Sequence, residues 1–457
     1  MIDILAVYSA FGIKLSENIR KELDEQSLKE IPDFSIFGIF TTIIRSQVLD
    51  SWPNDIHGCL GYWDDNYREM TKKDILEKLK ELVHNTNYKD TRKNYFPKKL
   101  QQDSGAEIEI SFMLLPRLDI INGKIGKEDF DNKKYGLIVE SDKGRATYLP
   151  GVFEDIGWNK IKSSLRNKAG IRGGKFYGYR TYVIKVPIYD VLFSDKSMKL
   201  MEMSVARFYK ENYRSFIPYA LVEEEVIVEK SESVRNLGSI GDVIKFSGMY
   251  DLRDKSKVIL DNLGYYWKKY ESNRDKYRQA SAFMLEDYYL LGDYNDRVKK
   301  MVDYLYDKLD EMEPRFELGE VLKILAIVEP RNDELERNAN KMYERLDGMG
   351  KLDDVFELNW QSQFLRVIGK KNHLGRILDI LLGILGEVKG EIETNYLAVI
   401  YECLSNIGNK IENKELKNNR LDYFIKLNER KGENGLYYFI GMKEARLDIT
   451  GHVIFQP

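Results

Sequence analysis

Phe193–Met201 reads FSDKSMKLM, and at this stretch the chain changes character. Upstream, short β-branched and aromatic runs alternate with amphipathic stretches. Downstream, apolar residues recur at helical spacing and strand patterns largely vanish. A domain boundary is therefore expected between Phe193 and Met201. It gives residues 1–195 an α+β character and residues 197–457 an all-α one. The 457 residues leave room for both, at roughly 100–200 residues per domain.

Upstream of the boundary, Phe37–Ile44 (FGIFTTII) suits a central strand, being β-branched and aromatic with one Gly. Lys73–Asn85 places Ile75, Leu76, Leu79, Leu82 and Val83 on one helical face. Glu107–Leu115 begins with the alternation of a half-buried strand. Gly136–Glu140 and Ala146–Leu149 flank a turn at Gly144 and predict a hairpin. A helix over 156–169 and a strand over Thr181–Pro187 complete the domain. The N-terminal MIDILAVYSAFGIKLSENIRKELDEQ reads as a helix followed by a polar turn; lacking a basic start and carrying Asp3, it does not resemble a signal peptide.

Downstream, helical patterns follow one another from 198–212 to 416–429 with short turns between them. Similar turn sequences recur at 290–297 (LLGDYNDR), 328–334 (VEPRNDE), 368–376 (IGKKNHLGR) and 405–413 (SNIGNKIEN). Their spacing of about 40 residues fits stacked helical hairpins. The hairpins form either an open solenoid or, the preferred reading, a closed α/α toroid. Val222–Arg235 is expected to be an acidic surface loop or ribbon.

Composition narrows the function. With 71 basic and 74 acidic residues the net charge is −3, so the chain lacks the basic surplus of an electrostatically driven nucleic-acid binder. Two cysteines, Cys59 and Cys403, and four histidines supply neither a disulfide framework nor a structural zinc site. A reducing cytosol is the expected compartment. The most apolar stretch, Leu378–Gly386, is broken by Asp379 and too short to span a bilayer.

Four stretches carry a family resemblance: FGIFTTI (37–43), IHGCLG (56–61), YGLIVESDKGRATYLPGV (135–152) and GWNKIKSSLRNKAGI (157–171), with weaker support from ISFMLLP (110–116) and DTR…FP (90–97). In this order they resemble the AMMECR-type domain over about residues 37–193, IHGCLG standing where that family has Leu-Arg-Gly-Cys-Ile-Gly. The resemblance implies an α+β domain with a cleft lined by the signature. It also implies participation in a modification or biosynthetic reaction, with a Memo-type or radical-SAM protein as partner. His57 stands where the family has Arg, exchanging a permanent planar cation for a smaller group that titrates near neutrality.

Candidate chemistry gathers in two places. In the signature, Gly58 and Gly61 would allow close approach of a substrate, and Cys59 shares a strand face with His57, which could activate the thiol. The basic, glycine-rich run after Lys168, with Arg172, offers cations and amides for a phosphate or carboxylate, or else is a helix cap leading into a solvated strand. In the helical domain, 435–454 packs Arg446, Asp448 and His452 into a short closing segment, and Arg235 would sit on the first inner helix. This segment faintly resembles the closing part of α/α-toroid carbohydrate-active proteins. Asp448 and His452 form a possible acid/base couple, or Arg446 and Asp448 a clasp on the chain end. Glu286 and Trp360 join them on inner helices. No metal site and no cofactor is assigned.

The sequence thus predicts a cytosolic enzyme, or enzyme component, that binds a small or carrier-bound anionic substrate in the AMMECR-type cleft. The alternative is a non-catalytic scaffold gripping a protein or nucleic-acid partner through its helices. An inward cluster of Arg235, Glu286, Asp448 and His452 within a closed ring would separate the two.

Overall fold

The computed structural model describes residues 1–46, 55–120, 130–152, 157–249, 255–312, 317–432 and 434–454. The chain divides into two compact units, Met1–Ile13 with Glu17–Ser194, and Lys14–Ser16 with Asp195–Pro457.

The first unit is built on a six-stranded sheet in the order β2-β1-β3-β6-β4-β5, antiparallel at every pairing. The strands are β1 (Ile36–Ile44), β2 (Ile56–Trp63), β3 (Glu107–Ile120), β4 (Gly136–Ser141), β5 (Gly144–Tyr148) and β6 (Lys175–Pro187). β1 is buried on both faces, as its mostly apolar run predicts, with the Thr41 and Thr42 hydroxyls hydrogen-bonded to Thr86 and Cys59. Helices α1 (Ile2–Phe11) and α2 (Glu17–Glu30) precede it. α2 occupies the polar segment expected to be a turn: only Ile19, Leu23 and Ser27 are buried, a stripe one residue wide that periodicity barely registers.

Helix α3 (Lys72–Tyr88) opens with a reciprocal capping box between Thr71 and Asp74 and lays Ile75, Leu76, Leu79, Leu82 and Val83 toward β1 and β2. Helix α4 (Trp158–Ala169) covers β4 and β5 and ends at Gly170, whose φ of 66° lets Ile171 N–H reach the Arg166 carbonyl. β6 begins at Lys175, earlier than its apolar pattern suggests, because Phe176, Gly178 and Tyr179 also pair in the ladder. A short helix, α5 (Ile188–Leu192), closes the unit.

The second unit is all-helical apart from one small sheet. Its helices are α6 (Asp195–Asn212), α7 (Ser233–Met249), α8 (Ser256–Ser272), α9 (Arg278–Leu290), α10 (Asp296–Asp307), α11 (Gly319–Val328), α12 (Asn332–Arg345), α13 (Val355–Val367), α14 (Lys371–Glu387), α15 (Thr394–Gly408), α16 (Lys414–Asn428) and α17 (Leu447–Ile454). The odd members pack in sequence, α7 on α9, α9 on α11, α11 on α13, α13 on α15 and α15 on α17, and α17 returns to α7.

The two sets differ in sequence as their positions demand. α10 and α12 bury a single stripe, such as Val298, Met301, Val302 and Leu305. α13 and α15 are buried almost all round, including the polar Glu357, Asn359, Gln361 and Gln363. Helix packing serves one side of these helices, and their polar side chains serve the other.

Closure depends on the chain end. β7 (Ala220–Val222) and β8 (Glu225–Ile227) form a hairpin whose turn residues Glu223 and Glu224 take positive φ. This hairpin is the ribbon within the acidic excursion. The third strand, β9 (Glu444–Arg446), pairs with β7 and delivers α17 between α15 and α7. α7 buries Leu237, Ile240, Val243 and Ile244 at helical spacing, and α17 buries Leu447, Ile449, Thr450, Val453 and Ile454.

Candidate active site

In the first unit, IHGCLG lies in strand β2, and its two glycines are explained by packing. A Cβ on Gly58 would lie 2.3 Å from the Thr86 carbonyl of α3, and one on Gly61 would lie 2.2 Å from the Phe40 ring. The β1–β2 register slips between Ile43 and Ile44, which makes His57 an extra, bulged residue and interrupts the alternation that would align it with Cys59. His57 is 4% exposed; its Nε2 bonds Asn87 Oδ1 at 3.1 Å and its ring packs on Phe96. Burial, and then the Arg45 charge, push its pKa down to about 4. At neutral pH it is an uncharged ring engaged with α3, not a cation able to activate a thiol.

Cys59 is half-buried and has other neighbours. Thr42 Oγ1 donates to its Sγ at 3.1 Å, its N–H donates to Asp90 Oδ2 at 2.9 Å, and Arg92 Nη2 donates to its carbonyl at 2.7 Å. Lys168 lies within electrostatic reach of it, with Nζ donating to the Thr147 carbonyl at 3.0 Å and sitting 4.6 Å above the Tyr148 ring. Arg172 is exposed beyond the cap of α4. The structure therefore brings Lys168 to Cys59, keeps His57 for the fold, and leaves Arg172 at the surface.

The second unit holds a cavity of about 900 Å³ inside the ring of odd-numbered helices. Arg235, Glu286, Asp448 and His452 all line it, as do Trp360 and Arg446. Their pairings differ from the expected couple. Asp448 is clasped by Arg446, with Nε at 3.0 Å, and by Arg235 Nε at 3.5 Å. His452 instead bonds Glu402, Nδ1 to Oε2 at 2.6 Å, and Asn359 Nδ2 donates to the same oxygen at 2.6 Å. Burial works against a charge on His452, but the Glu402 carboxylate more than offsets it and raises the pKa to about 9. His452 is a standing cation whose partner is Glu402.

Across the cavity lies a second charged group that the sequence reading did not assemble. Glu286 receives Lys245 at 3.5 Å and Lys323 at 3.4 Å, and Lys323 also reaches Glu320 at 3.3 Å. Although burial opposes it, the two ammonium groups hold Glu286 well below the ordinary carboxylate range. Asp242, one helix away on α7, goes the other way: burial pushes it up to about 7, Lys245 pulling it down and Glu286 pushing it up. Gly451 of α17 makes room for it, since a Cβ there would lie 2.3 Å from Asp242 Oδ2. Two carboxyls within electrostatic reach thus differ in protonation at neutral pH.

Aromatic rings complete the wall. Trp360 meets Phe283 edge-on at 6.0 Å and His452 at 6.1 Å, and Phe356 packs on Tyr396 at 5.0 Å. Lys323 in VLKILAI and Glu402 in VIYECLS could have been suspected from sequence, because each is a charge inside an otherwise apolar helical run. Asp242 in SIGDVIKF carries the same signal. Among the described residues, no three His, Cys, Asp or Glu side chains converge as metal ligands would.

These features define a protein of two parts, a signature-bearing antiparallel α+β domain and a helical unit around a charged cavity. Residues 11–190, nearly all of the first unit, match the AMMECR1 family model. The helical unit lies outside that match. No curated protein matches the chain. Among solved structures, an uncharacterized protein from Pyrococcus horikoshii is similar at 20% identity, over 37% of this chain and 90% of its own, with a TM-score of 0.26. Among the described residues, no helix is long and apolar enough to cross a membrane.

Proposed function

We propose that the helical unit is an α/α toroid and an enzyme, with its active site in the central cavity and proton transfer as its chemistry. The observation that carries this reading is the pair Asp242 and Glu286, one carboxyl protonated into the neutral range and its neighbour held ionised. Asp242 is placed to give a proton to a bound substrate, while Glu286, clamped by Lys245 and Lys323, stays ionised and holds the two ammonium groups beside it. The ion pairs of Lys245, Lys323 and His452 fix the surrounding potential without solvent having to reorganise. The aromatic wall offers apolar faces to a ring-shaped substrate of sugar size.

A scaffold gripping a partner through its helices gains nothing from burying a protonated carboxyl beside an ionised one. The AMMECR1 domain would contribute a separate anion-recognising cleft at Cys59, Arg92 and Lys168, and a Memo-type or radical-SAM protein would be the partner of the whole.

The test is to incubate the full chain with a fractionated pool of small metabolites and follow depletion by mass spectrometry, against Asp242→Asn. Depletion of a compound by the wild type and not by the variant is expected. Unchanged pools alongside tight capture of one protein partner would replace the enzyme with the scaffold.

A further inference from the structure

One sector of the same cavity contains hydrogen-bond donors that the protein leaves unused. On α13, Asn359, Gln363 and Arg366 follow at helical spacing and all line the cavity; on the neighbouring α15, Glu402 and Asn406 do the same. Gln363 is 6% exposed and Asn406 is 1% exposed, yet Gln363 Nε2, Asn406 Nδ2 and Arg366 Nε are buried without a partner. Buried donors are ordinarily satisfied, and three in one wall call for an explanation.

The Arg366 guanidinium has no carboxylate within 4 Å among the described residues. Glu402, the acid whose charge it feels, already spends Oε2 on His452 and Asn359. Elsewhere in the cavity each cation has its acid: Lys245 and Lys323 have Glu286, Arg235 and Arg446 have Asp448. One guanidinium and two side-chain amides, all short of acceptors, are the complement of a ligand that brings acceptors and a single negative charge.

We propose that Gln363, Arg366 and Asn406 form a subsite for a carboxylate on the substrate of this cavity. A carboxylate accepts from the planar guanidinium fork on two oxygens and leaves lone pairs for the amides. A phosphate dianion would bring a second charge into a wall that offers one uncompensated cation and stands beside Glu402. The inference rests on reading the cavity as an active site, and it adds the substrate class: an organic acid whose carboxylate docks on α13 and α15 while its body lies against Trp360 and faces Asp242.

Three isosteric probes test it on the full chain by ligand-observed NMR: benzoate, benzamide and phenylphosphonate, with wild type, Arg366→Lys and Arg366→Gln, all checked for native circular dichroism. Benzoate should bind more tightly than the other two. Its affinity should drop about tenfold or more in Arg366→Gln, with a smaller loss in Arg366→Lys, which keeps the charge and loses the fork. Equal binding of benzamide, tighter binding of phenylphosphonate, benzoate binding indifferent to Arg366, or no benzoate binding at all would each overturn the subsite. Metabolite turnover without benzoate binding would remove this inference and leave the enzyme reading standing. Arg366-dependent benzoate binding without any turnover would do the reverse.

Discussion

The His452–Glu402 pair makes a prediction that can be worked to a number. The imidazole is about a quarter exposed and its partner less, so solvent screening is modest. A rise from the ordinary 6.5 to about 9 is worth about 3 kcal/mol of preference for the charged ring in the folded chain, at about 1.4 kcal/mol per pH unit. Because the folded pKa lies above the unfolded one, this stability is fully present below pH 6.5 and is lost as pH rises through about 9. Changing Glu402 to Gln removes both the charge and the strong acceptor. Burial, the largest influence on the ring, is then opposed only by the Asp448 and Asp242 charges, and the pKa should fall well below 9. The chain has four histidines, so selective ¹³Cε1-histidine labelling gives four resonances assignable by single substitution. His452 should titrate near 9 and His57 near 4. A His452 midpoint at or below 6.5 in the wild type, or one unmoved by Glu402→Gln, would refute the reasoning.

Other substitutions follow from the same geometry. Gly58→Ala should cost about 1–3 kcal/mol in chemical denaturation, because the Thr86 backbone cannot yield; Gly61→Ala should cost less, since the Phe40 ring can turn. Lys323→Met should cost about 3–5 kcal/mol by leaving buried carboxylates uncompensated, and adding Glu286→Gln should recover part of it; an additive double variant would deny the coupling. His57→Gln should leave the rate of thiol labelling at Cys59 unchanged, because the neutral imidazole bonds Asn87; a slower rate would restore it to the signature's chemistry. Asp242→Asn should raise the melting temperature at pH 8 and leave it near wild type at pH 4. Because the folded pKa lies above the ordinary 3.8, the native carboxyl costs nothing below about pH 4, and the penalty builds from there and is complete once pH has passed about 7.

The strands of the first unit were legible wherever β-branched and aromatic runs stood between polar turns, as in Ile36–Ile44 and Gly136–Ser141. α2 was not, because three buried residues in fourteen leave almost no periodic signal. Periodicity marked the helices from α8 to α16 because each buries a stripe or more.

The candidate site divides in the same way. Arg235, Glu286, Asp448 and His452 could be named from their crowding or their place on expected inner helices. Their partners could not: His452 finds Glu402 fifty residues away because α15 and α17 adjoin. His57 and Cys59 were misread for a local reason. Alternation along β2 assumes an even register, and a single bulge breaks it.

The most direct measurement on the central claim is the protonation state of Asp242 in the intact chain. It can be read as the protonated-carboxyl band in the infrared difference between wild type and Asp242→Asn, followed across pH. A protonated Asp242 gives a band that persists to about pH 7 and then disappears with a single midpoint. A carboxyl already ionised at pH 5 would contradict it, leaving two like charges side by side and no proton to transfer.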